Sequence, residues 1–222
     1  MSTPRTPAHE VIYARIRDMI LFGDLAPGQP VTLHGLVDRM GVSTTPVREA
    51  VRRLGAEGAL ERLGNRRIVV PVLDAGRLDE LEFARLAIEP RLAEMATPKV
   101  GHTEMKALQD ADAALDSAIR AGDTPGYMRQ NYRFHFTLYR AANAQVLLPI
   151  AEALWLQYGP LGRVICGRFG TGRMADRHKE TLAALAQGDA GAAARAIAAD
   201  IRQGFTLMRD GMRTDENLIK SD

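Results

Sequence analysis

The stretch GVSTTPVREAVRRLGAEGAL, residues 41–60, decides how the first third of the chain is read. Ser43 or Thr45 can cap a helix here, and Pro46 suits a first turn because the N–H it lacks would have no intrahelical partner. Val47, Ala50, Val51 and Leu54 follow at i, i+3, i+4 and i+7, which makes one buried face. Arg48 and Arg52 share a different side with Thr44 and Thr45, and Arg53 lies close by. Upstream, Ile12, Ile16, Met19 and Ile20 stripe a first helix that ends near FGDLAPGQP, a run of turn residues. Thr32 then caps a short helix carrying Leu33, Leu36, Val37 and Met40, closed by Gly41. Downstream of Gly58, ALERLGNRRIVVPVL reads as two short strands around a turn at Gly64-Asn65. Three helices followed by a hairpin is the order of a winged helix-turn-helix.

Charge supports that reading. All four lysines lie past residue 98, so the first third is basic through arginine alone. Six arginines face three glutamates between Thr44 and Arg67, and arginine grips phosphate or a base edge with fixed geometry. A basic helix by itself is as readily a solvated surface. Turn, cap, stripe and basic hairpin coincide here, and together they point to double-stranded DNA. Ser43, Thr44, Thr45 and Arg48 then sit at the major groove, Arg52 or Arg53 reaches backbone, and Arg66 and Arg67 form the tip of a wing that can enter a minor groove.

From about Asp74 the periodicity is helical throughout. It predicts helices near 74–96, 103–121, 124–142, 145–168, 173–187 and 189–211, with a kink or break after Glu89 because Pro90 follows. The fold expected is mainly α: an N-terminal winged helix-turn-helix over 1–73 and a C-terminal all-α antiparallel helical bundle over 74–222. Hydrophobic content of 46% and charge of 25% are ordinary for a soluble globular protein. The single cysteine, Cys166, excludes an intrachain disulfide and suits a reducing compartment. Neither a signal peptide nor a membrane-length apolar run is seen, so a cytoplasmic protein is expected.

Four polar residues of the bundle form a candidate metal site. Asn131 and His135 are four apart and share a helix face. His178 and Asp200 are equidistant from the turn at Gly188-Asp189, so an antiparallel hairpin sets them side by side. If the 124–142 helix packs on that hairpin, two imidazoles, a carboxylate and an amide oxygen converge. That set can bind Zn²⁺, Ni²⁺ or Mn²⁺ and leave positions for a ligand. The plainer alternative is that both histidines are ordinary packing or surface residues. Arg85 can pair with Glu89 at i+4; Arg163 and Arg168 can face solvent. Trp155, Tyr158 and Met174 can line a pocket or simply pack, and Cys166 reads as a small core residue.

Residues 8–71, through GDLAPGQPVTLHGLVDRMGVSTTPVREAVRRLGAEGALERL, resemble the winged-helix domain of GntR-type bacterial regulators. Thr44 departs from the arginine that usually follows the serine, and Arg67 from the usual wing glycine. The first puts the family's usual operator in doubt; the second adds a wing contact. Residues 74–211 resemble the FCD-type effector domain of the FadR subfamily, through ELEFARLAIEPRLAEMA, NYRFHFTLYRAANAQVL and RHKETLAALAQGDAGAAARAI. That resemblance implies a metal set of one aspartate and three histidines, which falls on Asn131, His135, His178 and Asp200. Two of the four differ, and the ligand charge is kept by exchange. It further implies a homodimer on operator DNA and a small carboxylate metabolite held by the metal and nearby arginines, Arg85 and Arg163 among them. The function expected is a ligand-responsive transcription regulator, a repressor. The alternatives are a metal-dependent enzyme with an accessory winged helix, for which no general base or nucleophile motif is evident, and a regulator whose metal-free bundle only dimerises.

Overall fold

A computed structural model of the protein describes residues 7–64, 67–170 and 177–219. The described residues fall into two compact units, Met1–Leu73 with Trp155–Leu161, and Asp74–Leu154 with Gly162–Asp222. The sequence boundary at 73 therefore lacks one feature: seven residues from a later helix group with the N-terminal unit.

In the first unit, α1 (Ala8–Leu21), α2 (Leu33–Met40) and α3 (Thr44–Ala56) precede a small sheet. Helices α1 and α3 pack together, and α2 packs on α3. Ile16, Ile20, Val47 and Leu54 are fully buried between them, as the stripes require. The Thr32 side chain accepts the Gly35 N–H at 3.0 Å, and Gly41 closes α2 at φ +67°, a conformation that costs glycine little. Ser43 occupies the N-cap position of α3, but its side chain makes no capping hydrogen bond, and Thr45 is already helical. The capping role expected of either residue is not seen. Both hydroxyls are exposed.

Strands β2 (Glu61–Arg62) and β3 (Ile68–Val69) form the expected hairpin. A third strand, β1 (Pro30–Val31), lies on the other side of β3, giving the antiparallel order β1-β3-β2. Pro30 faces Val69 and Val31 faces Ile68. Gly28 and Gln29 extend this edge: the Gly28 N–H reaches the Val70 carbonyl at 2.8 Å, and the Val70 N–H reaches Gln29 at 3.2 Å. The loop read as turn chemistry thus ends in a strand. Pro30 can sit there because an edge strand leaves one side of the ladder unpaired.

The second unit is helical. It comprises α4 (Ala75–Ala96), α5 (His102–Ala121), α6 (Thr124–Ala141), flanking parts of α7 (Leu147–Phe169), α8 (Arg177–Ala186) and α9 (Ala190–Ile219). Asp74, Asp123 and Asp189 each accept a backbone N–H of the first turn of the helix that follows, at 2.8–2.9 Å. Helix α4 lies against α9, α5 against α6, and α8 against both α9 and α5. Two expectations need correction. Helix α4 runs through Pro90 without a break. Its lost hydrogen bond is outweighed by the burial of Leu81, Arg85, Glu89, Leu92 and Ala93 along the same face. Helix α9 also continues to Ile219, beyond the end expected near 211.

Leu54 has no exposed surface, so Leu54→Ala should cost the N-terminal unit about 2–5 kcal/mol. The only tryptophan, Trp155, groups with this unit. Its fluorescence during urea unfolding of the full chain reads the loss directly.

Candidate functional site

Helix α3 presents Ser43, Thr44, Thr45, Arg48, Arg52 and Arg53 at its surface, all exposed. Their electrostatic circumstances differ. Arg53 is held on three sides: it bonds Glu57 at 3.1 Å and Glu10 of α1 at 3.2 Å, and its guanidinium lies 3.7 Å from the Tyr13 ring centre. Tyr13 in turn donates to Glu57 at 2.8 Å. Arg53 thus ties α3 to α1. Among the described residues Arg52 is paired only with Glu49, at 2.5 Å, on open surface, where such a pair is easily exchanged for another anion. Arg48 makes no hydrogen bond or ion pair among the described residues.

Arg48, Arg52 and Arg62 line a groove with Leu33, Val51 and Ile68, between α3 and the hairpin. Arg62 is exposed on β2 and was noticed in the sequence only as part of a charge count. Its position one strand from the hairpin turn was the available signal. Arg67 is exposed at the base of the turn, with its carbonyl accepting the Leu63 N–H at 2.8 Å. Arg66, the other expected wing residue, lies outside the described residues, as do Met174 and the Arg168 side chain.

In the second unit His135 on α6, His178 on α8 and Asp200 on α9 come together, with one donor atom of each lying within 4.8 Å of the others. The His135 Nε2 is 3.2 Å from Asp200 Oδ2 and 3.3 Å from His178 Nε2. The α8–α9 hairpin, turning at Gly188 with φ +66°, produces the His178–Asp200 pairing by equal distance from its bend. Phe134 stacks on His178 at 3.9 Å between ring centres and holds the ring's plane. Asn131 is buried one turn before His135 on α6.

His135 is fully buried, and burial pushes its imidazole below the ordinary histidine range, against the pull of Asp200. Burial alone would raise the Asp200 carboxyl. The hydrogen bond and charge of His135, with His178 and Arg85 behind it, hold it down at about 2. Near neutral pH the cluster is therefore a neutral imidazole beside an ionised carboxylate.

A second chain of contacts lies behind His135. Its Nδ1 is 3.0 Å from the Tyr139 hydroxyl, which donates to Glu89 Oε2 at 2.7 Å. Burial, reinforced by the Glu89 charge, pushes the Tyr139 phenol well up, so it keeps its proton. Arg85 holds both oxygens of Glu89, at 2.5 and 3.1 Å. The i+4 ion pair considered for Arg85 is therefore what the structure contains, fully buried. Arg163 is half-buried on α7. Trp155 packs in the core. Burial raises the Cys166 thiol to about 11, which leaves it unreactive. Sequence reasoning missed Tyr139, Glu89 and Asp112 as neighbours of this cluster. Tyr139 continues the i, i+4 row of Asn131 and His135 and was legible; Asp112, 66 positions from His178, was not.

Residues 8–70 match the family described as bacterial regulatory proteins, gntR family, and residues 80–203 match the FCD domain. The chain belongs to the gntR family and carries an FCD domain. It is thus a DNA-binding regulator, and the enzyme alternative ends here. Among its relatives, the HTH-type transcriptional regulator McbR of Escherichia coli is 28% identical over 65% of this chain and 66% of that protein. The HTH-type transcriptional repressor RspR of the same organism is 26% identical over 68% of this chain and 66% of its own length. The matched stretches are thus just under two thirds of either relative. A solved structure of E. coli McbR/YncC covers 94% of this chain and all of its own with a TM-score of 0.86; at 23% identity this shows the shared fold. No helix among the described residues is long and apolar enough to cross a membrane.

Glu89 has no exposed surface and depends on Arg85 for its counter-charge. Arg85→Met should therefore destabilise the helical unit by about 3–5 kcal/mol, and adding Glu89→Leu should recover most of that. Urea unfolding followed by circular dichroism decides; equal stability of wild type and Arg85→Met would contradict the assignment.

Proposed function

We propose that the chain is a ligand-responsive repressor. It binds a double-stranded operator as a homodimer and responds to a small carboxylate metabolite through a divalent transition metal. The observation that carries the metal part is the convergence of His135, His178 and Asp200. The donor set fits the group. Two imidazole nitrogens and one ionised carboxylate suit Zn²⁺, Ni²⁺ or Mn²⁺, and three protein donors leave room for exogenous oxygen. A neutral His135 and an ionised Asp200 need shed no proton to bind. Asn131, on the same face as His135, adds an amide oxygen to the candidate set. When bound, the ion supplies an electrophilic centre for a carboxylate oxygen. Arg85, committed to Glu89, acts on this site indirectly; Arg163 is the candidate for direct contact with the metabolite.

On DNA, the exposed guanidinium of Arg48, without a partner among the described residues, is the base-reading group, with Ser43, Thr44 and Thr45 beside it at the start of α3. Arg52, Arg62, Arg66 and Arg67 hold phosphate or wing contacts, while Arg53 chiefly fixes the helix. A two-fold homodimer would set two such heads in successive major grooves of a palindrome. The metabolite must bind one arrangement of the heads more tightly than the other for release to follow.

Elemental analysis of chelator-free, untagged protein should find close to one metal per chain, lost in His178→Ala. Absence of metal after dialysis against Zn²⁺, Ni²⁺ and Mn²⁺ would leave the metal-free dimerising bundle as the reading. In a selection from random duplexes, Arg48→Ala should relax the preference at one base position per half-site by about 1–3 kcal/mol. Arg62→Ala should instead weaken all duplexes alike and flatten the salt dependence. An unchanged base preference in Arg48→Ala would remove it from the reading surface.

A further inference from the structure

The most exposed large apolar side chain among the described residues is Phe83, in the middle of α4, at 76%. One face of α4 carries Leu78, Leu81, Arg85, Glu89 and Leu92 into the bundle. Turned away from it are Arg77, Glu80, Ala84, Ala87, Arg91 and Glu94, all exposed or half-buried. These positions alternate by three and four residues, which is the spacing of a seam between two helices. Phe83 flanks that seam on one side and Ile88 on the other. The neighbouring acids Asp79 and Glu82 are taken up by Arg209 of α9. Glu80, by contrast, makes no hydrogen bond or ion pair among the described residues. Arg91 and Glu94 hold each other at 2.6 Å on open surface, a pair readily exchanged for other partners.

We propose that a second copy of the chain docks on this face, the two α4 helices running antiparallel about a two-fold axis between Ala84 and Ala87. The inference rests on the homodimer reading above and deepens it by naming the surface. In that arrangement Arg77 of one copy meets Glu94 of the other, Glu80 meets Arg91, and Ala84 meets Ala87. The two-fold axis makes each pairing twice, so four opposite-charge pairs close the two ends of the seam. Direction and register both follow from the charges. Parallel helices would set Arg77 on Arg77 and Glu80 on Glu80, like charge on like. Sliding the antiparallel pair by one heptad sets Glu80 against Ala84 and Arg77 against Ala87, and every ion pair is lost. At the centre the alanines let the two backbones approach closely. An axis normal to both helices keeps the two Phe83 rings on the same side of the seam, where they cover each other. From Arg77 to Glu94 the contact runs along about 26 Å of helix.

Sedimentation equilibrium of the full chain, without DNA, measures the dimer dissociation constant. Phe83→Asp should raise it at least about 100-fold. Glu80→Arg and Arg91→Glu should each raise it about 10-fold, and the double variant should return to within about threefold of wild type. Residues 80 and 91 stand about 16 Å apart along one helix, so the rescue cannot arise within a chain. The substituted positions are exposed, so the variants keep the fold, which circular dichroism checks. A dimeric wild type whose association is unmoved by Phe83→Asp would overturn the proposal and leave the homodimer to another face. A double variant no tighter than the single ones would overturn it as well. A wild type that stays monomeric at every concentration would remove the homodimer reading itself, and this surface with it.

Discussion

The helical unit is organised around a carboxylate that has no access to water. Glu89 on α4 is fully buried, and a charge in that position must be neutralised and hydrogen-bonded or it expels itself from the fold. Arg85, one turn earlier, supplies the charge, and Tyr139 from α6 supplies a further hydrogen bond. This one interaction joins α4 to α6 and fixes the hydroxyl against which His135 is oriented. The opposite wall comes from a different constraint. The α8–α9 hairpin bends at Gly188, so His178 and Asp200 meet whatever the detail of their surroundings. The histidine–carboxylate cluster forms where these two constraints intersect.

The N-terminal unit follows the same logic on a smaller scale. Its core is a set of aliphatic stripes, but the angle of α3 on α1 is secured by polar contacts: Arg53 over the Tyr13 ring, with Glu10 and Glu57 closing the set. Arg48, on the adjacent turn, makes no hydrogen bond or ion pair among the described residues. A reading helix needs both kinds, since a mobile support would blur the position of the side chain that meets a base.

Most of the fold was legible because amphipathic helices announce themselves by period. Val47, Ala50, Val51 and Leu54 gave α3, and the cap at Thr32 gave the start of α2. Strand β1 was hidden because two residues carry no period, and Pro30 reads as a turn. Of the kink or break expected at Pro90, the break does not occur, because local propensity knows nothing of the buried face on either side. In the candidate site, spacing sufficed for His135, His178 and Asp200, whose relation is set by helix pitch and a hairpin bend. It did not suffice for Asp112, which reaches His178 through the packing of α5 on α8. Nor could it separate Arg53 from Arg48, because exposure and sequence position are alike and only their partners differ.

The measurement that bears most directly on the account is a crystal structure of Zn²⁺-loaded protein with anomalous data collected on both sides of the zinc edge. The account predicts a peak within about 2.0–2.2 Å of His135 Nε2, His178 Nε2 and an Asp200 oxygen. Peaks confined to surface sites, with the three side chains arranged as they are without metal, would contradict it.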